Sequence, residues 1–121
     1  MGKEPKHVER VKVRRIIVNH CLINEIHIDL EHVNYGVSKK TGKLNTKRRS
    51  NFKANDVVEF VKRLDRNSYT QADDVDGYLY YEVLLPIWEE KREYRLVFCV
   101  EKTKPNIICV VTLYCIGRMK D

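Results

Sequence analysis

The sequence predicts an α+β domain, in which an antiparallel sheet of four or five strands packs against one or two helices. Two observations indicate this class. Several segments are rich in β-branched and aromatic residues or alternate between apolar and polar side chains, as strands do. One segment instead repeats apolar residues at the spacing of a helix. A chain of 121 residues without an internal repeat fits a single domain, so we expect residues 1–121 to share one core.

The N-terminal third contains two predicted strands. Residues 1–9 are polar, and we expect a flexible tail there. Residues 10–18 fit a strand or a short helix, and their β-branched side chains favour a strand. After a predicted turn at residues 19–20, residues 26–31 alternate between apolar and polar side chains, which predicts a half-buried strand. His32 follows directly, either at the end of that strand or at the start of the next element.

A predicted loop, a helix and an acidic turn come next. Residues 35–52 contain few apolar residues and show no period, so we expect an exposed loop. A helix is predicted to begin near Ala54, because apolar side chains recur at helical spacing and acceptors lie in its first turn. Its apolar face consists of Val57, Phe60, Val61 and Leu64. Beyond it, Asp73, Asp74 and Asp76 match no calcium loop and indicate an acidic turn.

Three further strands complete the predicted sheet. Residues 78–88 predict a strand, and Pro86 indicates a bulge or a sheet edge near its end. Residues 94–101 alternate, with Arg95 on the more polar side. A short loop with proline and asparagine separates them from residues 107–116, and this arrangement predicts a β-hairpin. The last run is apolar on both faces, so we expect a central strand that is covered on each side.

The positive charge of the chain is concentrated in one segment. The net charge is +6, and the segment from His32 to Asn55 contains seven cationic residues and no acid, which leaves −1 for the remainder. These cations are Lys39, Lys40, Lys43, Lys47, Arg48, Arg49 and Lys53. Lysine and arginine neutralise phosphates, and Tyr35 and Phe52 at the ends of the loop could stack on unpaired bases. We therefore expect this segment to bind RNA; the alternative is a solvated surface segment without a ligand.

No pattern in the sequence indicates a metal, a disulfide framework or a membrane span. The four cysteines have no paired spacing, and we expect reduced structural thiols. The spacings of His20, His27 and His32 match no metal site, so we expect no cofactor. No apolar run is long enough to cross a bilayer, and the N-terminal residues do not resemble a signal peptide, which favours a cytoplasmic protein.

Four residues are candidates for chemistry. A histidine titrates near neutral pH, so His32 beside the basic loop could exchange a proton with a ribose 2′-hydroxyl or a leaving 5′-oxygen. Arg95 could stabilise the charge of a phosphorane-like transition state. Thr112 and Tyr114 lie on one face of their predicted strand and could donate hydrogen bonds to the same phosphate. For His32 and Tyr114 the structural alternative is a locally hydrogen-bonded residue at an element junction or a sheet edge.

The order of these features resembles that of a known family. A strand runs into a histidine in residues 28–32 (IDLEH), a helix follows in residues 52–61 (FKANDVVEFV), and two strands close the chain in residues 94–98 (YRLVF) and 110–114 (VVTLY). Over residues 26–116 the chain thereby resembles the small RelE/BrnT-like toxins, which belong to the barnase–EndoU–colicin–RelE group of ribonucleases.

The resemblance implies an α+β fold and RNA cleavage by acid–base chemistry without a metal. It implies that His32 acts with Arg95 and with Thr112 or Tyr114, and that a cognate antitoxin neutralises the protein. The chain departs from the family in the long basic loop that follows His32. We therefore hypothesise a cytoplasmic ribonuclease, the toxin of a toxin–antitoxin pair, with RNA and an acidic antitoxin protein as partners. The alternatives are a non-enzymatic nucleic-acid-binding module that uses the basic loop, and a small protein-interaction domain.

Overall fold

A computed structural model describes residues 8–36, 38 and 40–119 of the chain. Within them, a six-stranded sheet is combined with two α-helices, which confirms the predicted α+β class. The strands are β1 (Val8–Val18), β2 (Cys21–Asp29), β3 (Asp73–Val75), β4 (Tyr78–Ile87), β5 (Arg92–Glu101) and β6 (Ile107–Arg118), and the helices are α1 (Leu30–Tyr35) and α2 (Ala54–Lys62). The order across the sheet is β1-β2-β6-β5-β4-β3.

The prediction of a purely antiparallel sheet with four or five strands was wrong. The sheet has six strands, and β2 runs parallel to β6, with Ile28 opposite Val110. The additional strand β3 is only three exposed residues long and contains Asp73 and Asp74, while Asp76 lies in the turn that leads to β4. A short charged strand forms because a neighbouring strand pairs with it, and a parallel pair forms between segments that are distant in sequence. Local periodicity therefore predicts neither of them.

The first two strands form a tight hairpin. Asn19 and His20 both have positive φ angles, 53° and 65°, as the favoured two-residue hairpin turn requires. The predicted turn is therefore confirmed, and the segment before it is a strand rather than a helix. Strand β1 begins at Val8, so the expected flexible tail was wrong for Val8 and Glu9. Residues 1–7 of that tail lie outside the described residues.

Strands β4, β5 and β6 form an antiparallel meander that contains the predicted hairpin. In β5, Leu96 and Phe98 are buried and Arg95 points to the other face, which confirms the predicted alternation. Strand β6 lies between β2 and β5, so its central position is also confirmed. Its face that carries Thr112 and Tyr114 is only half-buried, so the strand is not covered equally on both sides.

Helix α2 begins at Ala54, as predicted, and packs on the buried face of the sheet. The carboxylate of Asp56 accepts a hydrogen bond from the backbone N–H of Lys53 at 2.9 Å, and the ring of Phe60 lies 4.8 Å from that of Tyr94. The other residues of the predicted apolar face, Val57, Val61 and Leu64, are fully buried. Among the described residues, no helix is long and apolar enough to cross a membrane.

Candidate functional site

Helix α1 turns the chain out of the sheet directly after β2. Asp29 caps the helix, because its carboxylate accepts a hydrogen bond from the backbone N–H of His32 at 3.2 Å. The helix ends at Tyr35, and the next residue, Gly36, caps it by donating its N–H to the carbonyl of His32 at 2.8 Å. The helix packs against β6, and His32 thereby reaches a hollow that Thr112 and Tyr114 of β6 also line.

One buried residue of α1 holds the returning end of the basic loop. Asn34 is 4 % exposed, and its side chain satisfies both backbone groups of Phe52: it donates to the carbonyl at 3.0 Å and accepts from the N–H at 2.7 Å. Its own carbonyl accepts from the N–H groups of Arg49 and Ser50 at 2.8 and 2.9 Å. Helix α1 therefore holds the backbone of Arg49 in place. The preceding loop residues, 40–48, are exposed.

Replacing Asn34 with alanine is expected to lower the free energy of unfolding by about 2 kcal/mol, because two partly buried backbone groups of Phe52 lose their partners. Urea unfolding followed by circular dichroism measures the change. Asn45→Ala is the matched control, since the Asn45 side chain makes one bond, to the carbonyl of Tyr35, at an exposed position. Equal losses in the two variants would contradict the anchoring role of Asn34.

A single hollow brings together the four residues that the sequence singled out for chemistry. It has a volume of about 410 Å³ and lies between α1, the end of the basic loop, β5 and β6. Its lining residues are His32, Gly36, Arg49, Arg95, Val111, Thr112 and Tyr114. The sequence predicted only that Arg49 binds RNA as part of the basic loop. Because it lines the hollow, it becomes a further candidate for chemistry.

The guanidinium of Arg49 forms one wall of the hollow. It donates a hydrogen bond to Oγ1 of Thr112 at 2.6 Å, and its Cζ lies 4.2 Å from the centre of the Tyr114 ring. Gly36 leaves room for this guanidinium, because a Cβ at residue 36 would lie only 2.8 Å from Cζ of Arg49. Partial burial lowers the pKa of Arg49, and the interaction with Tyr114 acts in the opposite direction. Its remaining N–H groups donate to no other described residue, so they can bind an anion.

Replacing Gly36 with alanine is expected to displace the Arg49 guanidinium from Tyr114 and to weaken phosphate binding about tenfold, the effect of one lost charge-assisted hydrogen bond. The backbone at Gly36, with φ 75° and ψ 171°, also belongs to a region that costs other residues about 1–3 kcal/mol. Gly42→Ala is the control: φ is +69° there and nothing lies near the new Cβ. Calorimetry with inorganic phosphate measures the difference, and equal affinities in the two variants would contradict this role of Gly36.

Arg95 also lines the hollow. It donates to the Tyr114 hydroxyl at 2.9 Å and to Oε2 of Glu82 at 2.7 Å. These two hydrogen bonds, that with Tyr114 first, raise the pKa of Arg95. Its Nε is buried and has no hydrogen-bond partner among the described residues. Glu82 was not among the predicted site residues, although the alternation of β4 places it on the same face of the sheet as Arg95.

The charges and donors around the hollow suit a phosphodiester. Glu82 pairs with Arg95, whereas no carboxylate among the described residues pairs with Arg49, so positive charge is in excess. Because the Tyr114 oxygen accepts from Arg95, its own O–H is left to donate into the hollow. The His32 ring has no hydrogen-bond partner in the described part of the chain, which leaves it able to take up or release a proton.

The other predicted RNA-binding residues lie outside this hollow. Lys40, Lys43, Lys47 and Arg48 are exposed along the loop, Lys53 immediately precedes α2, and Lys39 lies outside the described residues. Cζ of Arg48 lies 5.9 Å from the centre of the Tyr35 ring. Phe52 was expected to offer a stacking surface for bases, but its ring packs at 5.7 Å on Phe60 against the core instead.

The other described histidines have partners away from the hollow. His27 bonds to Glu25 at 2.9 Å on β2, and His20 bonds to Ser68 at 3.2 Å. Over residues 8–36, 38 and 40–119, no three histidine, cysteine, aspartate or glutamate side chains come together as potential metal ligands. His32 is therefore the described histidine that the fold brings next to the two arginines.

No family model, curated protein or solved structure matches this chain. The resemblance to RelE/BrnT-like ribonucleases therefore stays a prediction. The function has to be argued from the chemistry of the hollow, in which a histidine, two arginines and two hydroxyl groups converge.

Proposed function

We propose that this protein is an endoribonuclease that cleaves RNA by acid–base chemistry without a metal, and that it is the toxin of a toxin–antitoxin pair. The observation that carries the proposal is the convergence of His32 with Arg49 and Arg95 on one hollow. The histidine supplies a group that exchanges protons near neutral pH. The arginines supply the positive charge that phosphoryl chemistry requires.

The scissile phosphate would lie between Arg49 and Arg95. The ribose 2′-hydroxyl attacks the phosphorus, the bond to the 5′-oxygen of the next nucleotide breaks, and a 2′,3′-cyclic phosphate and a free 5′-hydroxyl result. Negative charge builds on the non-bridging oxygens in this step, and guanidinium N–H groups stabilise it. The 2′-hydroxyl must lose a proton and the leaving 5′-oxygen must gain one.

The remaining side chains have distinct roles in this proposal. His32 takes the proton of the attacking 2′-hydroxyl, and Tyr114, whose oxygen accepts a hydrogen bond from Arg95, donates its O–H proton to the leaving 5′-oxygen. Solvent water then returns a proton from His32 to Tyr114. Thr112 acts as a positioning residue, because its hydroxyl holds the Arg49 guanidinium at 2.6 Å. Glu82 orients Arg95 by accepting from the terminal nitrogen that does not donate to Tyr114.

Incubation of the protein with RNA in excess EDTA tests the proposal. We expect cleavage to persist in EDTA, to produce 2′,3′-cyclic phosphate ends, and to be lost in His32→Ala. His27→Ala is the matched control, because His27 lies on β2, bonds to Glu25 and does not line the hollow. Absence of cleavage by the wild type, or equal loss in the two histidine variants, would refute the assignment.

The toxin part of the proposal has its own test. The unpaired positive charge around Arg49 is suited to an acidic protein that covers the hollow. We expect the gene to have a neighbouring reading frame that encodes a small acidic protein, and co-expression of that protein to block RNA cleavage. A ribonuclease that is insensitive to the neighbouring product would leave the catalytic proposal in place and remove the toxin assignment.

The alternative is a non-enzymatic nucleic-acid-binding module. Four exposed cations along the loop, Lys40, Lys43, Lys47 and Arg48, favour this function independently of the hollow. Binding to such cations weakens steeply with salt, because each phosphate contact releases counterions. RNA binding with a steep salt dependence and no cleavage at any pH would establish the alternative.

A further inference from the structure

A second hollow adjoins the first. It has a volume of about 540 Å³ and is formed by the end of α1 and the returning half of the basic loop. Its lining residues are Tyr35, Asn45, Thr46, Lys47, Arg48 and Arg49. Arg49 lines both hollows, so the two hollows are neighbours.

The most distinctive contact in the second hollow joins Arg48 to Tyr35. The guanidinium carbon of Arg48 lies 5.9 Å from the centre of the Tyr35 ring, within the range of a cation–π interaction. Nε of Arg48 donates to the carbonyl of Ser50 at 3.0 Å, which directs the side chain back over the loop. The terminal nitrogens of Arg48 are not used by this bond and can donate to a phosphate.

Two hydrogen bonds of Asn45, one from its backbone and one from its side chain, hold the two halves of this hollow together. The N–H of Asn45 donates to the carbonyl of Gly36 at 3.0 Å, and the Asn45 side chain donates to the carbonyl of Tyr35 at 3.2 Å. The loop is thereby joined to the end of α1 at the same place where Gly36 contacts Arg49. These hydrogen bonds join the end of α1, with Tyr35, to the loop segment that carries Arg48 and Arg49.

We propose that the second hollow binds the nucleotide next to the scissile one, and that the substrate is single-stranded RNA longer than a dinucleotide. This inference rests on the proposed ribonuclease function. Lys47 and Arg48 would bind the adjacent phosphate, and the Arg48–Tyr35 pair would stack on the adjacent base. Successive phosphates of one strand would then lie on the two sides of the Arg49 guanidinium.

The stacking contact is what selects single strands. In a duplex both faces of each base are covered by neighbouring pairs, so an arginine–tyrosine pair finds no base face to stack on. In a single strand the base can turn away from its neighbours, and every base offers a face of similar chemistry. We therefore expect strand selectivity without strong base preference at this position.

The length dependence of cleavage tests the inference. A dinucleotide with one phosphodiester is compared with trinucleotides that extend it on the 5′ or the 3′ side. For the wild type, kcat/KM is expected to be about tenfold higher with one of the trinucleotides, as one stacked base contributes. In Arg48→Ala and Tyr35→Ala this ratio should fall to near one, whereas Tyr35→Phe should keep most of it.

Lys62→Ala is the control, because Lys62 is an exposed cation of α2 that lines neither hollow. If the ratio of kcat/KM between trinucleotide and dinucleotide is the same in Arg48→Ala as in Lys62→Ala, the inference is overturned, whereas the ribonuclease proposal stands. Faster cleavage of a duplex than of the matching single strand would also overturn it.

A wild type that cleaves neither these substrates nor long RNA refutes the ribonuclease proposal, and binding then tests the second hollow separately. Fluorescence anisotropy with a labelled single-stranded oligonucleotide should show about tenfold weaker binding for Arg48→Ala than for Lys62→Ala, and weaker binding of the matching duplex to the wild type. Equal affinities of the two variants, or a preference for duplex, would overturn the inference.

Discussion

Replacing His32 with alanine is expected to lower the rate of RNA cleavage by about 10²- to 10⁴-fold, the range that one general acid–base group contributes. The expected loss is large because no other described histidine lines the hollow. The effect should appear in kcat more than in KM, since the two arginines that we propose to bind the phosphate remain. Single-turnover cleavage of a defined oligonucleotide measures it.

Two controls separate a chemical role of His32 from a structural one. The His32 side chain makes no hydrogen bond within the described structure, so its removal should leave thermal unfolding nearly unchanged. Added imidazole should restore part of the activity of His32→Ala, because it can occupy the space of the missing ring. A variant that loses activity together with stability, and that imidazole does not rescue, would indicate a structural role.

Replacing Arg95 with alanine is expected to reduce cleavage by about 10²- to 10³-fold, as removal of a group that stabilises transition-state charge does. The change removes a cation from the hollow and both hydrogen bonds of that side chain, to Tyr114 and to Glu82. It also leaves the Glu82 carboxylate unpaired beside the phosphate site, which opposes anion binding. Both kcat and the affinity for RNA should therefore decrease.

Arg95→Lys and Glu82→Gln divide this effect into its parts. A lysine retains the charge but has no planar fork to reach Tyr114 and Glu82 together, so we expect partial activity. In Glu82→Gln the charge of Arg95 is no longer balanced, and RNA binding should become tighter at low salt. If Arg95→Lys were fully active, bidentate positioning by Arg95 would be excluded and only its charge would matter.

Local sequence signals predicted the parts of this fold that local interactions decide. Helix α2 begins at the predicted residue, because an apolar face of helical period and an acceptor near its start are both readable along the chain. The two faces of β5 and the turn before β2 follow in the same way. Pro86 lies in the part of β4 that the short strand β3 does not cover, as expected for a residue without a backbone N–H.

Helix α1 was not predicted, for a physical reason. It is six residues long, too short to show a helical period, and Leu30 continues the apolar alternation of β2. What ends the strand is the cap by Asp29 together with the packing of the new helix on β6. The sequence therefore does not distinguish whether His32 ends a strand or begins another element.

Patterns along the chain were enough to predict the α+β class, the start of helix α2, the face shared by Thr112 and Tyr114, and the concentration of positive charge after His32. The parallel pairing of β2 with β6, and the return of the basic loop that places Arg49 on Tyr114, depend instead on contacts between distant segments. The bond from Arg49 to Thr112 joins residues 63 positions apart. Such contacts form because Asn34, Gly36 and the sheet hold distant segments together, and no periodicity along the chain reports them.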